Sequence, residues 1–148
     1  MTFGELIDGI GKNLGIELAD EGGASVVMID DNPVMLLSAG DDLLLLHADL
    51  GDIDPENREK VVAAAMEANF LYQGTGGATL AVDPRNGRLH LQKYNWLERI
   101  DVEKAVTDLA RFADMVKIWK DLLSESVASV SSAADGMSAP KLDGFMQV

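Results

Sequence analysis

An α+β domain is the fold class this chain predicts, and three observations predict it. Three strand-length apolar runs lie between Ala24 and Leu50, separated by turns too short for a parallel crossover. Segments of helical periodicity lie before them, after them and again near the end of the patterned sequence. A second strand pair sits between the last two helices, joined by Asp83-Pro84-Arg85-Asn86-Gly87, a strong hairpin signal. The predicted order is helix, three strands, helix, two strands, helix, with the strands forming an antiparallel sheet.

Thr2-Phe3-Gly4-Glu5 has the form of a capping box. Phe3, Leu6, Ile7, Ile10 and Leu14 then recur at helical spacing until Gly15 supplies a left-handed stop. Gly4, Gly9 and Gly11 interrupt this helix at up to ~1 kcal/mol each against alanine, so packing must hold it. Strands are expected over Ala24 to Ile29, Val34 to Ala39 and Leu43 to Leu50. Asp30-Asp31-Asn32-Pro33 and Gly40-Asp41-Asp42 are the turns between them. Asp54-Pro55-Glu56 reads as the capped start of a second helix that continues, rich in alanine, through Tyr72. Strands follow near Ala78 to Val82 and Arg88 to Trp96. Asp101 caps the last helix, whose stripe runs from Val102 through Leu109, Phe112, Val116 and Trp119 to Leu123. Residues 1–123 are thus expected as one domain. Residues 124–148, rich in Ser and Ala, are expected as a mobile tail with Phe145 and Met146 near its tip.

Composition narrows the function. The 148 residues hold 12 Lys+Arg against 25 Asp+Glu, a net charge of −13, yet 47% are hydrophobic. Such a chain can bury a true core, and its negative field disfavours nucleic acid and anionic membrane as partners. With no cysteine there is no disulfide, thiolate metal site or cysteine nucleophile. The beginning of the sequence lacks a secretory signal pattern, and no apolar run approaches the ~20 residues of a spanning helix. A cytoplasmic protein is expected.

Candidate chemistry is thin. Asp30/Asp31 and Asp41/Asp42 fall in consecutive hairpin turns, at opposite ends of one strand, and cannot share a substrate atom. Asp49, Asp52, Asp54 and Glu56 are dense enough to hold a cation weakly, but lack the spacing of a calcium loop. Gly74-Thr75-Gly76-Gly77 precedes a strand rather than a helix and lacks the Lys of a phosphate loop. His47 and His90 are expected as half-exposed strand residues. Neither a cofactor nor a metal is indicated.

The informative feature is apolar. A half-solvated antiparallel strand alternates, but Val26-Val27-Met28-Ile29, Val34-Met35-Leu36-Leu37 and Leu43-Leu44-Leu45-Leu46 do not. Helices can cover one face of that sheet and part of the other, so a partner or a ligand chain is expected on the remainder.

The element order resembles the class I type III secretion chaperones, the Tir-chaperone (CesT-like) family. So do the opening Phe3…Leu6-Ile7…Leu14-Gly15-Ile16, the stretch Ala68-Asn69-Phe70-Leu71…Gly74-Thr75-Gly76-Gly77, and Leu97-Glu98-Arg99-Ile100-Asp101 before the last helix. The resemblance covers about residues 2–123. It implies a cytoplasmic homodimer, not an enzyme, that uses no nucleotide and keeps the N-terminal segment of a secreted effector extended for export. By that resemblance Ala64, Met66, Phe70 and Leu80 would lie at the dimer interface. Leu6, Ile10, Val27, Met35, Leu37, Leu45, Tyr94 and Trp96 would contact the effector, which can also add a strand to a sheet edge. The alternatives are a regulatory or scaffolding domain of the same fold binding a folded partner, and a metal-assisted hydrolase using Asp49, Asp52 and Asp54.

Overall fold

A computed structural model describes residues 1–128. It contains α1 (Phe3–Leu14), β1 (Ala24–Ile29), β2 (Asn32–Ala39), β3 (Leu43–Gly51), α2 (Arg58–Asn69), β4 (Thr79–Val82), β5 (Leu89–Trp96) and α3 (Val102–Ala128). Single 3-10 turns at Phe70–Tyr72 and Leu97–Arg99 follow α2 and β5. The strands form one antiparallel sheet in the order β1-β2-β3-β5-β4, so the α+β expectation holds.

Contacts cluster into two units. The first comprises Met1–Ala48 with Gln92–Asp114. In it Thr2 caps α1 by accepting from the Glu5 N–H at 3.2 Å, while the Glu5 carboxylate takes the Thr2 N–H at 2.7 Å. Those bonds hold the Glu5 pKa below the ordinary carboxylate value. Gly15, at φ 68°, ends the helix as expected. The glycines inside α1 have a packing reason. A Cβ on Gly9 would lie 2.5 Å from a Val102 methyl, and one on Gly11 would lie 2.9 Å from the Ile16 carbonyl oxygen. Close approach of α1 to the start of α3 at Gly9, and to its own following loop at Gly11, therefore outweighs helix propensity.

Asp30 and Asp31 have φ of 50° and 63°, and close a two-residue hairpin between β1 and β2 in the left-handed geometry such turns need. On the α3 side, Asp101 caps by accepting from the Lys104 N–H at 2.8 Å. Asp108 is buried, and its carboxylate meets the ammonium groups of Lys104 at 2.7 Å and Lys93 at 3.5 Å. Burial opposes its ionisation, but the two lysines outweigh burial and hold its pKa below the ordinary value. A lowered folded pKa gives stability that is present above about pH 4 and lost as pH falls through the folded value. In urea melts, Asp108→Asn should lose about 2 kcal/mol at neutral pH. It should also lose less than the parent chain on acidification.

The second unit comprises Asp49–Leu91 with α3 from Met115 onward. Here α2 starts at Arg58, not at Asp54. The Asp54 carboxylate instead accepts from the Glu56 N–H at 3.0 Å, and its carbonyl from the Asn57 N–H, which makes a turn ahead of the helix. The helix also ends early, at Asn69, because the next residues leave helical geometry. Asn69 bridges to β4: its side chain accepts from the Leu80 N–H at 2.8 Å and donates to the Leu80 carbonyl at 3.0 Å. His90 is buried rather than half-exposed, because Leu89, His90 and Leu91 are covered on both faces of β5; His47 is half-buried. At the other end α3 continues to Ala128, past Leu123 where the composition changes. Phe145 and Met146 lie outside the described residues.

Candidate functional site

Strand register decides which side chains the sheet exposes. Val26 pairs with Met35, and Met35 with His47; residues directly opposite each other share a face. The Gln92 side chain meets His47 Nδ1 at 3.2 Å, so Gln92, Tyr94 and Trp96, two residues apart along β5, emerge on that same face. This row crosses four strands of the first unit: Val26 and Met28, then Met35 and Leu37, then His47, then Tyr94 and Trp96. Val26, Met28, Tyr94 and Trp96 are each at least half exposed, and Met35 is exposed as well. The opposite parity, Val27, Val34, Leu36, Leu44 and Leu46, is buried. This face therefore exposes apolar side chains on β1, β2 and β5, with the half-buried, polar His47 and Gln92 between them.

The expected contact residues divide accordingly. Met35, Tyr94 and Trp96 lie on the open face, and Leu37 is half-buried there. Leu6 and Ile10 are fully buried on the inward side of α1, and Val27 has the inward parity of β1; all three are core. Leu45 shares the outer parity through its pairing with Leu37, but is buried. Val26 and Met28 complete the surface. Unbroken apolar runs carry no parity signal, so only the register could reveal them.

The second unit carries a separate apolar patch. Met66 and Phe70 are well exposed, as expected of surface contacts, whereas Ala64 and Leu80 are buried. Leu71 and Tyr72, the residues after Phe70, extend the patch; both are more than half exposed. Their backbones are left-handed, with φ of 54° and 56°. For side chains of this size that geometry costs about 1–2 kcal/mol each. The following loop holds them there. The Gly74 N–H bonds to the Ala68 carbonyl at 3.0 Å, and the Trp119 indole N–H bonds to the Gly74 carbonyl at 3.0 Å. A Cβ on Gly74 would fall 2.5 Å from Ala68 Cβ. The glycine-rich run is thus a clamp built for close packing, with Thr75 fully buried behind it.

The acids lead elsewhere than to chemistry. Arg88 binds Asp49 at 2.9 Å and Asp52 at 3.1 Å, and Asp54 is engaged in its turn. Arg85 takes Asp83 at 2.9 Å in the second hairpin, and its hydrogen bonds pull the Asp83 pKa down to about 2. Among the described residues no group of three or more His, Asp or Glu side chains is placed to hold a metal ion. Nor, among them, is any helix long and apolar enough to cross a membrane.

An antiparallel sheet with helices that leaves two apolar surfaces bare has the architecture of a protein-binding module. Residues 5–120 match the Tir chaperone protein (CesT) family, and the chain belongs to that family. No curated protein matches it. Among solved structures it is similar to the HopA1–SchA chaperone–effector complex at 20% identity and a TM-score of 0.64, covering 79% of this chain and 91% of that one. It is similar to the ExsC–ExsE complex at 20% identity and 0.64, covering 81% and 92%. It also resembles the Yersinia pestis type III secretion chaperone SycH, solved with a stable fragment of YscM2. That match is 18% identical, with a TM-score of 0.62, and covers 78% and 97%.

Proposed function

We propose that this chain is a type III secretion chaperone. It works in the bacterial cytoplasm as a homodimer, without nucleotide or catalysis, and holds the N-terminal segment of a secreted effector extended and export-competent. The observation that carries the reading is the bare apolar face formed by Val26, Met28, Met35, Tyr94 and Trp96. A folded monomer rarely leaves five large apolar side chains exposed on one sheet face without a use for them. Membership of the Tir chaperone family supports the reading, as do similar structures of a chaperone–effector complex and of a type III secretion chaperone bound to a stable fragment of YscM2. The patch at Met66, Phe70, Leu71 and Tyr72 is the proposed dimer contact, and the net charge of −13 keeps sticky protomers apart until they pair specifically.

The test is co-expression with the product of a neighbouring gene that encodes a secreted protein. The parent chain should co-purify with that protein and lose it when its N-terminal segment is deleted. Tyr94→Glu combined with Trp96→Glu should lower capture at least tenfold while leaving the melting temperature within a few degrees, since both side chains are already half exposed. Capture that survives deletion of the segment would instead favour a module that binds folded proteins.

A further inference from the structure

β1 is the outer strand of the sheet, with β2 as its only neighbour in the strand order. The Ser38 N–H bonds to the Gly23 carbonyl at 2.8 Å, and the hairpin closes on the pair Ile29–Asn32. In an antiparallel ladder every second residue exchanges its main-chain bonds with the partner strand. Ser25, Val27 and Ile29 therefore bond to β2, and the N–H and C=O groups of Val26 and Met28 point outward. Beside this edge, between β1 and the end of α1 with its following loop, lies a groove of about 880 Å³.

The groove is lined by Ile16 and Leu18 and also by Asp8, Glu17 and Glu21. Its cation, Lys12, is already bound to Asp8 at 2.6 Å. Glu17 and Glu21 have no ion-pair partner among the described residues. Ser25 also lines the groove; it is only 5% exposed, and none of the described residues hydrogen-bonds its hydroxyl. A hydroxyl with spare acceptor capacity on an otherwise buried residue, two uncommitted carboxylates and an apolar wall together suit a long side chain with a cationic head.

We propose that this groove selects the bound segment by chemistry: an added strand whose side chains alternate between apolar and basic. The inference rests on the chaperone reading and gives the class of segment that reading leaves open. In a strand paired to Val26 and Met28, successive side chains fall on opposite faces of the sheet. One set extends the bare face beside Val26 and Met28 and is apolar. The other set enters the groove, where a Lys or Arg stem lies along Ile16 and Leu18 and its head reaches Glu17, Glu21 and the Ser25 hydroxyl. An acidic segment of the same shape is repelled, so the groove discriminates by charge as well as by shape.

The test uses a short synthetic peptide alternating valine and lysine, and a counterpart with serine in place of lysine. Binding is followed by fluorescence anisotropy at physiological salt. The lysine peptide should bind about tenfold tighter. Glu17→Gln with Glu21→Gln should abolish that preference. Asp114→Asn with Asp121→Asn makes the same charge change at two exposed acids outside the groove and should leave it intact. Equal binding of the two peptides, or equal sensitivity to both pairs of substitutions, overturns the inference. Val26→Pro deletes one outward N–H at a position where an edge strand tolerates proline. It should weaken both peptides alike without changing their ratio. If both peptides bind the parent and neither responds to Val26→Pro, strand addition is wrong. The chaperone reading is judged separately, by loss of effector capture in the Tyr94 and Trp96 variant.

Discussion

Trp119→Ala should be among the most damaging single substitutions in the chain, costing about 3–5 kcal/mol. Part of that is volume, because the indole is almost fully buried and alanine leaves a cavity. The rest is specific. The indole N–H is the donor to the Gly74 carbonyl, and Gly74 ends the segment that forces Leu71 and Tyr72 into left-handed backbone. Without the clamp those two residues can relax, with a gain of about 1–2 kcal/mol each. The turn should therefore loosen locally before the protein unfolds globally. Trp119→Phe separates the two effects: it keeps most of the ring volume, removes the donor and should cost about 1–3 kcal/mol. Hydrogen exchange in Trp119→Phe should rise across residues 70–75 while that of β1–β3 stays unchanged. Uniform protection loss across both units would show that the indole only fills space. Leu71→Gly makes the complementary measurement. It relieves strain at an exposed position, and it should raise stability in the parent more than in Trp119→Phe.

Much of this fold is legible in the sequence, and the parts that are not have identifiable physical reasons. The strands were readable because turn residues with fixed backbone demands, Asp30-Asp31, Gly40 and Asn86-Gly87, bracket apolar runs. Thr2, Gly15 and Asp101 mark helix ends through bonds that only those positions need. The start of α2 misled because Asp54-Pro55-Glu56 suits a helix N-terminus and an isolated turn equally well, and tertiary context chose the turn. Its end misled because Phe70, Leu71 and Tyr72 carry no glycine to signal left-handed backbone; the bonds that follow them come from Gly74, which donates to Ala68 and accepts from Trp119, far along the chain. The binding surface was legible as a surplus of apolar residues in strands, but not as a set of residues. Val26 and Val27 are identical in sequence and opposite in fate, and register alone separates them. Ser25 and the loop acids at Glu17 and Glu21 gave no signal either, since each is ordinary until the fold brings them to one groove.

Phe70→Glu should convert the proposed dimer to a monomer with little effect on the fold. Phe70 is 65% exposed and Leu71 68%, so neither contributes much core to its own chain. A carboxylate at an exposed site typically changes stability by about 0.5 kcal/mol or less. In a two-fold interface the same substitution occurs on both protomers and is counted twice. An aromatic anchor at the centre of such an interface contributes about 2 kcal/mol or more, so the pair of changes removes about 4 kcal/mol, close to a thousandfold in dissociation constant. Two glutamates facing each other across a desolvated contact add repulsion to that loss. Sedimentation velocity at micromolar concentration should therefore find a dimer for the parent and a monomer for Phe70→Glu, with circular dichroism unchanged. The strain at Leu71 and Tyr72 sharpens the expectation. Two bulky apolar residues held in left-handed backbone on a free surface make physical sense if the contact they present repays about 2–4 kcal/mol of distortion. Leu71→Gly, which relaxes the backbone but removes the side chain, should thus stabilise the protomer while weakening the dimer. A parent chain that sediments as a monomer, or a Phe70→Glu chain that stays dimeric, would place the dimer contact elsewhere and leave the strained turn without this role.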